Sequence, residues 1–261
     1  MTVSDVLDGI FKLLKANFRT IAVIVAVLVL PVQLIVAFSE RNVLNGQGII
    51  HALNDPSVTS RSSTPLLPYV GILANYLLLP FIGAAIAQVV SASYLGRQIG
   101  PREALAGVWH RGGTLFAAWT VHLGAELVAL AACGIGIVFA FPLFIMLAPV
   151  IVLEGLPFWK AVKRSWRLAA RRYWPTLGVA LLAGLVAYVL GQVLGVVPTV
   201  LALLVGLHWG WLLLALGSSM TALIVTPVAG LTATLLYFDA RIRTEGFDLE
   251  VIAAGLARSG A

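Results

Sequence analysis

Charge is what this chain has least of. Only 11% of its 261 residues are Asp, Glu, Lys or Arg, against about 25% in an ordinary soluble domain. At 60% hydrophobic residues and a mean hydropathy of +0.99, the chain has too little polar surface to cover itself in water. That excludes the ordinary soluble class. Cysteine is almost as scarce: Cys133 stands alone, so no internal disulfide is possible, and no His/Cys cluster has the spacing of a structural zinc site. Catalytic signatures are missing too. There is no G-x-S-x-G, no Walker loop, no H-E-x-x-H and no paired acidic motif. His51 and Asp55 lie four apart, but Asn54-Asp55-Pro56-Ser57 reads as a turn. The expectation is a non-enzymatic chain with no cofactor, no metal and no nucleic-acid partner.

What is present is long apolar runs. About 20 residues at 1.5 Å rise cross a ~30 Å hydrocarbon core, and six runs qualify, at about 20–38, 67–94, 114–134, 136–153, 176–197 and 211–238. The stretch 198–210 is apolar but too short to span, and Pro198 removes a backbone donor, so it is expected as a bent or re-entrant outer piece; the other reading is an extension of the fifth helix. The N-terminus is not read as a signal peptide, because the segment before the first apolar run is itself amphipathic and no A-x-A site follows.

The few basic residues are placed unevenly. Of 17 Lys and Arg, 15 fall in the N-terminal segment, the 95–113 loop, the 154–175 loop and the tail, and only Arg41 and Arg61 fall in the 39–66 loop. With six spans the positive-inside rule then puts both termini in the cytoplasm, with 39–66 as an external loop and 239–261 as a cytoplasmic tail.

A repeated unit underlies this arrangement. Val6 to Phe18, Ala104 to Phe116 and Ala161 to Tyr173 align without gaps on aromatic pairs seven residues apart: Phe11 and Phe18, Trp109 and Phe116, Trp166 and Tyr173. Each copy, starting near 5, 103 and 160, precedes an apolar run. In the first, Val6, Leu7, Ile10, Phe11, Leu13, Leu14 and Phe18 share one helical face and Asp5, Asp8, Lys12, Lys15 and Arg19 the other, with Ser4 as an N-cap. The third opposes Val162, Trp166, Ala169 and Tyr173 to Lys160, Lys163, Arg164, Arg167 and Arg171, and Pro157 marks its start. The middle copy carries Gly112 and Gly113, which disfavour helix and predict a short or irregular segment, although Pro101 supplies a start signal.

A cytoplasmic helix that is aromatic on one face and basic on the other fits the headgroup plane of an anionic inner leaflet. Lys160, Lys163, Arg164, Arg167, Arg171 and Arg172 are the candidate headgroup-binding residues. Anchoring of the spans and docking of a membrane or cytoplasmic protein partner remain open as alternatives.

Within the spans, His122 and Glu126 lie four apart on one helical face. Ionisable residues at such depth are costly and mark either a function or a buried pairing. Proton relay, ion coordination or headgroup binding would use them; a hydrogen-bonded pair with Gln33, Asn75, Gln88 or Gln192 as further partners would be structural. Pro31, Pro80, Pro142, Pro149 and Pro227 predict kinks.

The last run leads into Tyr237-Phe238-Asp239-Ala240-Arg241-Ile242-Arg243-Thr244-Glu245-Gly246. Asp239 with Arg243 and Arg241 with Glu245 are i,i+4 pairs, Gly246 is a stop signal, and Tyr237 and Phe238 are expected at the cytoplasmic interface. This tail, together with EGLPFWKAVKRSWRLAARRYWPTLG at 154–178 and the opening VLDGIFKLLKANFRT, resembles a family of bacterial integral membrane proteins related to the membrane domain fused to some glycerophosphoryl diester phosphodiesterases. The resemblance implies a helical membrane-embedded fold. The hydrolase chemistry of the fused enzymes belongs to a separate soluble domain, and nothing outside the spans is long enough to form it.

The expectation is an all-α polytopic transmembrane helix bundle of about six spans, a single domain over 1–261, with three cytoplasmic amphipathic interfacial helices. Its role is a membrane scaffold or accessory protein of the bacterial cytoplasmic (inner) membrane that engages phospholipid. The alternative is a small transporter or lipid-handling carrier with a cavity near His122 and Glu126.

Overall fold

The computed structural model describes residues 3–39, 67–131, 135–205 and 210–246. Residues 40–66, expected as an external loop and including His51 and Asp55, Cys133 and the tail beyond 246 lie outside the described residues. Among the described residues every regular element is an α-helix. In chain order these are α1 (Val3–Ala16), α2 (Phe18–Ser39), α3 (Leu67–Tyr94), α4 (Pro101–His110) and α5 (Gly112–Ala131). Then follow α6 (Ile135–Phe144), α7 (Leu147–Glu154), α8 (Phe158–Ala170), α9 (Tyr173–Val205) and α10 (Gly210–Glu245).

Helices α2, α3, α5, α9 and α10 are each long and apolar enough to cross a membrane, and the chain is a multi-pass helical membrane protein. The fourth expected span, 136–153, is not one helix but two. Pro149 has no N–H for the carbonyl of Ile145 and its ring crowds that carbonyl, so the turn at Ile145–Met146 separates α6 from α7. The fifth span differs the other way. Described residues 198–205 continue α9 through Pro198 instead of forming a bent or re-entrant piece. The partner across the seam accounts for this: a Cβ at Gly217 of α10 would lie 2.1 Å from Pro198 Cβ, so the proline ring occupies the space that a glycine leaves.

Helix α10 is the centre of the bundle and packs on α2, α3 and α9, while α8 packs on α6 and α7. Its Leu231, Leu235 and Tyr237 join Ile21, Ile24, Ile82, Ile86, Met146 and Ile151 in the buried core. Several contacts define one end of the bundle. Tyr94, which ends α3, meets Phe238 near the end of α10 with ring centroids 5.3 Å apart. Val6 of α1 and Asp239 of α10 line the same small cleft, and α7 and α8 reach the end of α10 through Glu154 and Arg164. The first, second and third repeat helices (α1, α4, α8) therefore share an end of the molecule from which α2, α5 and α9 depart, and to which α3, the α6–α7 pair and α10 return.

The repeats break where local chemistry permits. Helix α1 gives way to α2 at Asn17, whose Nδ2 donates to the carbonyl of Leu13 at 3.2 Å. Helix α4 starts at Pro101 as expected and stops at Arg111, just before Gly112 and Gly113, about one turn earlier in the repeat than in the other copies. Pro157 is the N-cap position of α8. Ser4, expected as an N-cap, falls within α1 (Val3–Ala16).

Candidate functional site

The bundle sorts the repeated unit in a way that its amphipathic pattern did not foretell. In the register set by the aromatics, Val6, Ala104 and Ala161 are equivalent and all buried, as are Ile10, Val108 and Ser165. Phe11, Trp109 and Trp166 point outward, as do Phe18 and Phe116. Five of the six paired aromatics thus lie off the inward face, while Tyr173 is half-buried against the core and its hydroxyl donates to the carbonyl of Val138 at 2.8 Å. On α8 the buried stripe is Ala161, Val162, Ser165, Leu168 and Ala169, and Ser165 Oγ donates to the carbonyl of Leu143 at 2.8 Å. Trp166 and Trp159 stand beside Lys160, Lys163, Arg167 and Arg171 on the outer face. An indole flanked by exposed Lys and Arg has an apolar body and a wet end, the combination that favours a membrane–water interface.

Two of the six candidate headgroup residues are turned away from this face. Arg164 reaches inward, where its Nε lies 2.9 Å from Glu154 Oε2 and its terminal nitrogens donate to Glu245, one of them at 2.7 Å. The hydrogen bond to Glu245, followed by those to Glu154, raises the Arg164 pKa well above the ordinary guanidinium value, against burial that lowers it. Arg172 donates to Asp239 Oδ2 at 2.9 Å. Both are committed to carboxylates of this chain, and the outward basic set is Lys160, Lys163, Arg167 and Arg171.

The same contacts explain the C-terminal motif. Tyr237 is fully buried (0% exposed) instead of facing the interface, and its hydroxyl donates to Glu154 Oε1 at 3.0 Å. Phe238 is turned inward as well. Arg241 donates to the Tyr237 hydroxyl at 3.2 Å and to Glu245 at 3.2 Å, and Arg243 to Asp239 at 2.9 Å. The two i,i+4 pairs form as the spacing predicts, and Gly246, at φ 65°, ends the helix. A ring then closes: Glu154, Arg164, Glu245, Arg241 and Tyr237 join the end of α7, the middle of α8 and the end of α10. Glu154 is the member that sequence reasoning passed over. Its one signal is its position as the first acid after an apolar run, directly before the turn at Gly155, whose carbonyl accepts from Arg111 at 2.6 Å.

Deeper in the bundle, His122 Nε2 lies 3.3 Å from Glu126 Oε1, as the i,i+4 spacing predicts. The further partner is Tyr76 of α3, whose hydroxyl donates to Glu126 Oε2; it had no motif to announce it. The Gln192 side chain donates instead to Tyr188 on its own helix, and Gln88 lies against Gly107. His122 is 3% exposed, packed between Trp119 and Phe144 at centroid distances of 4.5 and 5.2 Å. In the repeat register its equivalents are Ile24 and Val179, both buried aliphatics. The second copy thus carries an imidazole at a core position. His122 lines a partly open cavity of about 180 Å³ among α3, α5, α6, α7, α9 and α10. Among the described residues no group of three His, Cys, Asp or Glu could hold a metal ion.

Comparison of the chain with models of protein families, with curated proteins and with solved structures finds no match.

Proposed function

We propose that this protein is a non-enzymatic scaffold or accessory protein of the bacterial cytoplasmic membrane, with both termini in the cytoplasm, whose three repeat helices seat one end of the bundle in the phospholipid interface. The observation that carries the reading is the outward orientation of Phe11, Phe18, Trp109, Phe116 and Trp166 at equivalent repeat positions on one end of the molecule. Aromatic side chains there partition into the interfacial zone, and Lys160, Lys163, Arg167 and Arg171 add attraction to anionic headgroups of about 1 kcal/mol each. The resemblance of the tail and of 154–178 to the membrane domain accompanying some phosphodiesterases is in keeping with a membrane-embedded role without hydrolase chemistry.

The experiment is lipid retention by the full-length protein, reconstituted in nanodiscs of mixed phosphatidylglycerol and phosphatidylcholine and released for native mass spectrometry. Replacing Lys160, Lys163, Arg167 and Arg171 together by Gln is expected to abolish enrichment of phosphatidylglycerol. Enrichment equal to that of the unmodified chain would refute the headgroup reading. Orientation is tested separately by thiol labelling of Ser57→Cys and Ser259→Cys, each with Cys133→Ser: labelling from outside at the first and from inside at the second is expected, and labelling of both from one side would overturn the topology.

A further inference from the structure

His122 Nδ1 and Trp119 Nε1 are buried without a hydrogen-bond partner, and among the described residues they are the side-chain nitrogens in that condition. Leaving such a group unpaired costs about 1–3 kcal/mol, so two of them in one ring contact need a reason. Their hydrogen-bonding characters are set by their surroundings. Glu126 accepts from the Tyr76 hydroxyl and lies beside His122 Nε2, which places the imidazole proton on Nε2 and leaves Nδ1 as an acceptor. Trp119 Nε1–H is a donor only. An acceptor and a donor side by side are the complement of one hydroxyl, which donates and accepts at the same time.

Apart from Thr226 and Thr232, the latter donating to the carbonyl of Val228 on its own helix, the rest of the cavity wall is apolar. Pro80, Phe144, Ala183, Ala187, Ala229 and Ala233 line it, and its volume is about 180 Å³. An apolar cavity of roughly 150 Å³ holds a benzene-sized molecule, so the space suits a short hydrocarbon segment and is larger than one water requires. By helix rise His122 lies about 15 Å along α5 from its start, near the middle of a ~30 Å hydrocarbon core. A second, larger groove lies beside it between α2, α9 and α10. Thr226 lines both this cavity and a groove of about 480 Å³ that includes Gln33, Thr199 and Thr221.

We propose that the cavity is a binding site for the hydroxyl-bearing end of an apolar molecule, the hydroxyl donating to His122 Nδ1 and accepting from Trp119 Nε1–H. Both nitrogens lie within the wall, so binding requires the Trp119 indole to turn aside and uncover His122 Nδ1 while Nε2 stays beside Glu126, and the indole N–H reports it. The proposal does not depend on the interfacial role of the repeat helices, since none of the cavity residues belongs to their outward faces.

The test uses the full-length protein in nanodiscs with ¹⁵N-labelled tryptophan, the Trp119 indole resonance being assigned by its loss in Trp119→Phe. Octan-1-ol is titrated against octane, with the outward Trp109 as the reference for simple partitioning into the bilayer. The expected result is a saturable shift of Trp119 with octan-1-ol while Trp109 drifts linearly. Octane is expected to bind at least about fivefold more weakly, the equivalent of one hydrogen bond. His122→Phe should erase that preference for the alcohol, and Ala183→Leu, which fills the wall, should weaken alcohol binding about tenfold. Should Ala183→Leu not fold, Ala187→Leu narrows the same wall. The proposal is overturned if Trp119 fails to shift saturably, which would leave at most a trapped water in the cavity, or if octane acts as well as octan-1-ol. Persistence of the preference in His122→Phe would overturn it too.

Discussion

Arg164→Leu removes the central cation of the ring that ties α7 and α8 to the end of α10. The wild-type guanidinium bonds two carboxylates, and the three side chains are 18%, 15% and 24% exposed for Arg164, Glu154 and Glu245. Without it, two partly buried acids are left facing a single remaining cation, Arg241, which lies 3.2 Å from Glu245 and 4.0 Å from Glu154. Breaking a fully buried pair costs about 3–5 kcal/mol; residual solvent access discounts this to about 2–3 kcal/mol. For a chain of this size that corresponds to a fall of about 4–12 °C in the unfolding midpoint. The assay is circular dichroism of protein in nanodiscs at one fixed scan rate, because unfolding of a membrane protein is rate-dependent. Arg164→Lys should recover part of the loss, since an ammonium restores the charge without the two-pronged geometry. A double-mutant cycle with Glu245→Gln should show coupling of about 1–3 kcal/mol. Additive behaviour, or a midpoint for Arg164→Leu within about 1 °C of wild type, would refute the view that this ring holds the helix ends together.

The His122–Glu126 pair is expected to be dispensable for folding: the triple replacement His122→Leu, Glu126→Leu, Tyr76→Phe makes the second copy resemble Ile24 and Leu28 of the first, leaves no tyrosine hydroxyl without its acceptor, and should leave the midpoint unchanged or raise it, by up to about 1–4 kcal/mol of stability. A marked loss, read by the same melting assay, would mean that the pair is structural. Gly217→Ala should cost about 1–3 kcal/mol, because the new Cβ meets the rigid Pro198 ring; Gly217→Ala combined with Pro198→Ala should recover most of it, and failure to recover would refute the contact as the cause. Ser165→Val is expected to destabilise by about 1–3 kcal/mol, since it deprives the Leu143 carbonyl of a donor and inserts bulk at a closed site, whereas Trp166→Ala, one residue on and facing outward, should leave the melting midpoint nearly unchanged. Equal effects at the two positions would contradict the assignment of faces on α8.

Much of the architecture was legible because the bilayer enforces it. A long apolar run with few charges has one economical conformation in hydrocarbon, since a helix satisfies every backbone group within the segment; α2, α3, α5 and α10 follow the expected runs closely for that reason. Short-range signals held for the same kind of cause: Pro101, Pro157, Gly246 and the two i,i+4 pairs of the tail act through neighbours on the same helix. Errors arose where the outcome depended on a neighbour from elsewhere. Nothing in the 198–210 stretch says that Gly217 will make room for Pro198. The pattern of α8 put Val162, Trp166, Ala169 and Tyr173 on one apolar side, but packing divides that side: Ala161, Ser165 and Ala169 allow α8 to lie close to the bundle, where a large indole does not fit, and Trp166 is left outward.

The candidate sites divide along the same line. Composition and spacing by themselves determined a multi-pass helical membrane protein in which three short helices each precede a long apolar one, and a His122–Glu126 pair on one helix face, because hydrophobicity and helical periodicity are local or additive along the chain. Only the tertiary structure decided which basic residues are free. Arg164 and Arg172 carry the same charge as Lys163 and Arg167, yet carboxylates up to 81 residues away in the chain claim them. It also decided that Tyr76 joins Glu126, that five of the six repeat aromatics face outward, and that a cavity lies against His122. These depend on distances between helices, which the order of residues along a chain does not express until the helices are packed.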